Sequence, residues 1–126
     1  MIDLIITNPS DIPIYRQIYN QISNLILNGK LPKDYGLPSI RTIAKELRIS
    51  IITIKRAWEE LERDGFIYTI AGKGCFVSAD IIHNRQAIKL EAAKEKMSKD
   101  LEYYRGLGLS LDHIMAIMRE VYHEDD

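Results

Sequence analysis

The chain holds a single cysteine, Cys75, so no intrachain disulfide framework can staple it. Its apolar runs are short, Leu4-Ile5-Ile6 and Leu25-Ile26-Leu27 among them, and fall far below the roughly 20 residues that span a bilayer. The start, Met1-Ile2-Asp3, lacks the basic and apolar stretches of a secretory signal. Large aromatics other than tyrosine are scarce, with 2 Phe and 1 Trp against 7 Tyr. No charge dominates, since the formal net charge is -1. These absences lead us to expect a cytoplasmic protein with no membrane partner. They also argue against several chemistries. His83, His113 and His123 have no ligand spacing, so no metal and no cofactor is expected. Cys75 has no activating histidine at a recognisable distance, which leaves nucleophilic catalysis unsupported and the chain not an enzyme. Gly72-Lys73-Gly74 lacks the upstream glycine, the following Ser or Thr and the helix of a phosphate loop.

What is present is an ordinary globular composition, with 46% hydrophobic and 28% charged residues in 126. That length suits one or two small units. The charge is unevenly placed. Residues 1–79 hold 10 Lys+Arg and 8 Asp+Glu, whereas residues 80–126 hold 7 and 10. A mildly basic part precedes an acidic one, which suggests two tasks.

Residues 1–12 read as an extended arm with a turn at Asn8-Pro9-Ser10-Asp11. Pro13 suits a first helical position. Ile14, Ile18, Ile22, Leu25 and Ile26 then recur at helical spacing until Asn28-Gly29, where Gly29 supplies a left-handed cap. Leu31 to Pro38 is a loop. Ser39 caps a short helix through Leu47, and Arg48-Ile49 makes a tight turn. Ser50 caps a further helix that Gly65 ends. Two β-type runs, Phe66 to Ile70 and Cys75 to Ser78, flank the hairpin tip Ala71-Gly72-Lys73-Gly74. Helix, helix, turn, helix, hairpin is a winged helix-turn-helix.

The helix after Ser50 carries the functional reading. With Ile54 at the centre of its buried face, Ala57, Trp58 and Leu61 fall within about 60° and Ile51 on the margin at about 60°. Lys55 lies at about 100°, Ile52 at about 160° and Arg56 at about 200°, away from the core. In a helix-turn-helix this N-terminal exposed face enters the major groove. Ser50 and Thr53 suit a phosphate, Lys55 and Arg56 reach phosphates or guanine edges, and Ile52 suits thymine methyls. The plain alternative is a solvated face in which Lys55 and Arg56 pair with Glu59, Glu60 or Glu62, while Ile51 and Ile52 pack on a neighbour.

Several segments in order resemble the GntR family of bacterial regulators over about residues 12–78. They are Pro13-Ile14-Tyr15-Arg16-Gln17-Ile18, Leu37-Pro38-Ser39-Ile40-Arg41, Ser50 through Leu61, Asp64-Gly65-Phe66-Ile67 and Gly72-Lys73-Gly74-Cys75-Phe76-Val77. The short helical tail resembles the YtrA subfamily. The resemblance implies DNA contacts from Arg41, Thr53 and Lys55, and wing contacts from Gly72 and Lys73. Regulators of that subfamily often sit beside ABC-transporter genes, which implies control of export or stress. Ile51 and Ile52 depart from the family, where polar or basic residues are common, and so does Ala71 before the wing glycine. These departures suggest a site rich in A·T pairs or read partly by shape.

Residues 80–126 read as a helical tail. One helix, Asn84 to Arg105, carries Leu90, Ala93, Met97, Leu101 and Tyr104 on a stripe; Gly106-Leu107-Gly108 breaks it. Ser110 caps a second helix with Leu111, Ile114, Ile117, Met118 and Val121 on its stripe. Two helices folded as an antiparallel hairpin bury little alone, so the same hairpin of a second chain is the expected partner. The expectation is therefore a mainly α fold with a small β-hairpin wing: a DNA-binding domain at 1–79 and a dimerisation tail at 80–126. The function expected is a homodimeric repressor of double-stranded DNA at an inverted repeat. Its proposed DNA contacts are Ser39, Arg41, Ser50, Ile51, Ile52, Thr53, Lys55, Arg56, Gly72 and Lys73. A small-molecule effector has no candidate in the sequence. The competing class is a winged-helix module that binds protein through Ile51 and Ile52.

Overall fold

The computed structural model describes residues 2–124. Its elements run α1 (Ile14–Leu27), α2 (Ile40–Leu47), α3 (Ile51–Arg63), β1 (Ile67–Ile70), β2 (Gly74–Val77), α4 (Ala79–Gly106) and α5 (Leu111–Glu124). This is the expected helix, helix, turn, helix, hairpin order, followed by two tail helices. Met1, Asp125 and Asp126, the outer ends of the two expected domains, lie outside the described residues.

Two compact units divide between Gln86 and Ala87. The composition change at 79/80 and the expected helix start at Asn84 both fall elsewhere, because α4 begins directly after the wing at Ala79. Its opening turns belong to the first unit. Ile81 is buried there, and the Arg85 guanidinium stands 3.1 Å from where a Cβ on Gly29 would be. Periodicity could not show this, since the first turns of α4 are held by contacts distant in sequence.

In the first unit, local capping starts and stops each helix. Pro13 is the cap before α1, one position earlier than expected, with ψ 148. Its carbonyl accepts the N–H groups of Arg16 and Gln17 at 3.0 and 3.1 Å. Gly29 ends α1 at φ 77, where a side chain would be strained. Ser39 and Ser50 cap α2 and α3, each accepting the N–H three residues on. Between these two helices Arg48 takes the left-handed conformation, φ 56, and Ile49 N–H returns to Ala44 C=O at 3.0 Å. The wholly buried side chains are Ile18, Ile22, Ile26, Ile43, Ile54, Leu61 and Val77. They come from α1, α2, α3 and β2, so α3 is sandwiched between α1, α2 and β1. The extended arm is pinned along α1 by two glutamine amides. Gln21 exchanges hydrogen bonds with Ile5 at 2.8 and 2.6 Å, and Gln17 with Thr7 at 2.8 and 2.9 Å.

The wing is an antiparallel hairpin with Ile67 opposite Val77 and Ile70 opposite Gly74. The segment expected as a plain loop supplies a partial third strand. Gly36 bridges Phe76, Leu37 N–H donates to Cys75 C=O at 2.9 Å and Val77 N–H to Tyr35 C=O at 3.0 Å. The prolines at 32 and 38 disguised this pairing in the sequence, since proline removes ladder donors. Cys75 is half-buried in β2, its thiol 3.3 Å from Thr69 Oγ1.

The second unit differs. Leu107 N–H returns to the carbonyls of Tyr103 and Tyr104, and Gly108 at φ 82 turns the chain into α5, whose start Ser110 caps through His113 N–H at 3.2 Å. The expected antiparallel hairpin does not close along its length. On α5 only Ile114 is buried. Offered as a dimerisation residue, Ile114 is already packed within its own chain, at the corner lined by Leu101, Leu109 and Leu111. Leu90, Met97, Tyr104, Leu111, Ile117, Met118 and Val121 stay exposed, and Leu101 is half-buried. No helix among the described residues is long and apolar enough to cross a membrane.

Candidate nucleic-acid interface

The helix-turn-helix places the expected readers on the opening turns of two packed helices. Ser39 and Arg41 stand at the start of α2. Ser39 Oγ accepts Thr42 N–H at 3.1 Å and lies 2.7 Å from Thr42 Oγ1, so the serine is occupied by its cap. Arg41 is exposed and, among the described residues, has no ion pair, so its reach is unspent. Ser50 repeats the same arrangement on α3. Its Oγ accepts Thr53 N–H at 3.2 Å and lies 2.8 Å from Thr53 Oγ1. Both α3 capping hydroxyls thus bind each other, and Thr53 is half-buried.

The remaining α3 residues divide. Ile54, Ala57, Trp58 and Leu61 are buried, as the 100° advance requires. Ile51 is 45% exposed and Ile52 80% exposed, the marginal and outward positions respectively. Lys55 lies 3.9 Å from Glu59 with both side chains 63% exposed, a loose pair of little worth. Arg56 is held. Its guanidinium carbon stands 3.8 Å over the Tyr15 ring centre, and Nη2 donates to Tyr15 Oη at 3.2 Å. Glu60, one turn on, lies within 3.6 to 4.0 Å of guanidinium nitrogens from Arg16, Arg56 and Arg63. Both pairings foreseen with the acidic residues therefore form. The Tyr15 clamp is what the sequence reading missed. Its two ends lie 41 residues apart, so no local pattern announces it. Only the nearness of Tyr15 to the start of an amphipathic helix could have prompted the question.

A second tie fixes the far end of α3. Tyr19 donates to Asp64 Oδ2 at 2.5 Å, with Phe66 edge-on to its ring at 5.9 Å and Arg16 over it at 4.4 Å. Burial, and then the bond to the Asp64 carboxylate, push the Tyr19 phenol well above its ordinary range. α1 therefore grips α3 at its middle, through Arg56, and at its C-terminal cap, through Asp64, leaving the N-terminal outer face of α3 uncovered.

The wing tip completes the set. Gly72 and Gly74 have φ 77 and 121, which carry the chain around Lys73. Lys73 N–H closes the turn on Ile70 C=O at 3.0 Å, and its side chain is exposed. Exposed Arg48 on the turn between α2 and α3 adds a cation that the sequence reading did not include. All ten expected DNA contacts thus lie in the first unit, at the opening turns of α2 and α3 and on the turn between β1 and β2. Among the described residues, no cluster of three His, Cys, Asp or Glu side chains could hold a metal ion.

The sequence profile described as bacterial regulatory proteins, gntR family, matches residues 14–77, the span from α1 to the end of the wing. The chain belongs to this family. Among curated relatives it is 30% identical over 112 residues to the HTH-type transcriptional repressor YtrA of Bacillus subtilis, covering 89% of this chain and 86% of that protein. It is 34% identical over 105 residues to the repressor NagR of the same organism, but spans only 40% of NagR's length. A GntR family transcriptional regulator from Listeria monocytogenes has a similar fold, with TM-score 0.77 and 29% identity over 88% of this chain and 96% of that one. The DNA-binding domain of AraR, solved in complex with operator ORR3, aligns with TM-score 0.52 and 27% identity over 61% of this chain and 93% of that one. The GntR winged helix and the YtrA-like tail are thus both matched, and the chain is a YtrA-like GntR regulator.

Proposed function

We propose that this regulator is a homodimeric repressor that occupies an inverted-repeat operator in the cytoplasm. One observation carries the proposal. The outer face of α3's first turns is left uncovered in a unit whose fold is shared with the operator-bound AraR domain. Ser39, Arg41, Ser50, Ile51, Ile52, Thr53, Lys55, Arg56, Gly72 and Lys73 supply the surface, with Arg41, Lys73 and the loosely paired Lys55 as cations for phosphates. The helical tail, residues 80–126, joins two chains through Leu90, Met97, Leu101, Tyr104, Leu111, Ile117, Met118 and Val121. Symmetry then sets the two α3 helices about one DNA turn, roughly 34 Å, apart. Repression follows from occupancy alone.

The test is a footprint and affinity titration of the full chain on the DNA upstream of its own gene. Phosphate contacts release counterions, so affinity should fall by roughly 10³ or more between about 50 and 200 mM salt. Arg41→Ala should weaken every duplex alike and lower the salt slope by about one per chain. Affinity that stays flat in salt, with binding to a protein instead, overturns the reading in favour of a protein-interaction module built on Ile51 and Ile52.

A further inference from the structure

The polar side chains offered as DNA contacts on α3 are mostly committed within the chain. The Ser50 and Thr53 hydroxyls are 2.8 Å apart and serve the helix cap. Guanine recognition by arginine needs two guanidinium N–H groups presented edge-on to O6 and N7. In Arg56 the guanidinium lies 3.8 Å over Tyr15 and spends Nη2 on the phenol oxygen. Its Nε lies 4.0 Å from a Glu60 oxygen. Lys55 is free to swing, but as a point charge it suits phosphate as well as any base. What remains outermost on the first turn is Ile52, 80% exposed. A branched apolar side chain in the major groove has one matching group among the four bases, the 5-methyl of thymine. Against a guanine or cytosine edge it would strip water from donors and acceptors and return no hydrogen bond.

We propose that Ile52 sets base specificity by seating on the 5-methyl of a thymine in each half-site, while Arg56 positions α3 against α1 and reads no base. The inference rests on α3 being the DNA-facing helix, as proposed above. It moves the discriminating contact of the half-site from hydrogen bonding to a single methyl group. It also assigns Tyr15, far from the reading face in sequence, the task of withdrawing the arginine.

The experiment uses the full chain and a duplex recovered with it by selection from random-sequence DNA. Each thymine is replaced in turn by deoxyuridine, which removes the 5-methyl and nothing else. The expected result is one thymine per half-site at which uridine lowers affinity about fourfold, the worth of one buried methyl-sized group. In Ile52→Ala that thymine–uridine difference disappears, with the thermal midpoint unchanged because the side chain is exposed. Arg56→Gln should weaken binding equally at every base position. Arg56→Lys, which keeps a cation over Tyr15, should recover most of that loss. Steep salt dependence with no methyl-sensitive thymine overturns the inference and leaves the DNA reading standing. The same holds for a thymine–uridine difference that persists in Ile52→Ala, or a changed preference at a guanine in Arg56→Gln. If no duplex is recovered and binding is indifferent to salt, the DNA reading and the inference fall together.

Discussion

The two units of this chain treat their apolar side chains in opposite ways. In the first, residues from α1, α2, α3 and the wing bury one another, and Ile18, Ile22, Ile43, Ile54, Leu61 and Val77 are wholly enclosed. In the second, α4 and α5 enclose Ile114 and leave Leu90, Met97, Leu111, Met115, Ile117, Met118 and Val121 to solvent. Both units are helical, and both carry apolar stripes at helical spacing. The difference lies in the number of layers. Three helices and a hairpin can surround a core, whereas two helices of one chain cannot. The first unit is therefore complete in itself. The second leaves its apolar stripes uncovered, which is the physical basis for proposing dimerisation there.

The largest effect should come from the enclosed core. Ile54→Ala removes a side chain with no exposure and should cost about 2–5 kcal/mol in denaturant unfolding. That loss should not depend on protein concentration. A cost below about 1 kcal/mol, or one that varies with concentration, would mean that the first unit is not self-sufficient.

Ile117→Glu, on the uncovered face of α5, should act in the opposite manner. We expect the dimer dissociation constant, measured by sedimentation equilibrium, to rise about a hundredfold, near 2.7 kcal/mol. Secondary structure in the first unit should be unchanged. An unaltered association constant would remove α5 from the dimer interface.

The smallest effect tests how α1 holds the end of α3. Tyr19→Phe deletes the 2.5 Å bond to Asp64 and should cost about 1–2 kcal/mol at neutral pH. The folded-state phenol is raised above its unfolded value of about 10. Its contribution is thus fully present below about pH 10 and is lost as pH climbs above that. Unfolding followed from about pH 8 to 11 should show this alkaline loss in the parent chain and a flatter curve in Tyr19→Phe. Parallel curves would assign the alkaline transition to another group.

Much of the first unit was legible because its signals are local. Ser39, Ser50 and Gly29 mark helix ends through bonds spanning a few residues, and the structure places each where its chemistry suggests. The buried face of α3 followed from a single angle of rotation. Illegible were the features that depend on distant partners. The segment Tyr35 to Leu37 looked like a loop between prolines, yet it pairs with β2 some 40 residues later. The start of α4 at Ala79 depends on where Ile81 and Arg85 find neighbours. The antiparallel tail hairpin, foreseen from two stripes and a glycine break, does not close, because nothing in the stripes says which surface will cover them.

By itself, the sequence determined the order of elements, the caps, the outward position of Ile52 and the family motifs, since each is written in neighbours three or four residues apart. Only the tertiary structure decided which exposed polar residues remain available. Arg56 and Lys55 stand side by side on α3 and look equivalent in the sequence. Tyr15, brought from α1 across 41 residues, takes Arg56 and leaves Lys55 with a loose ion pair. Local rules set where a side chain points; contacts closed through the core set what it is still free to bind.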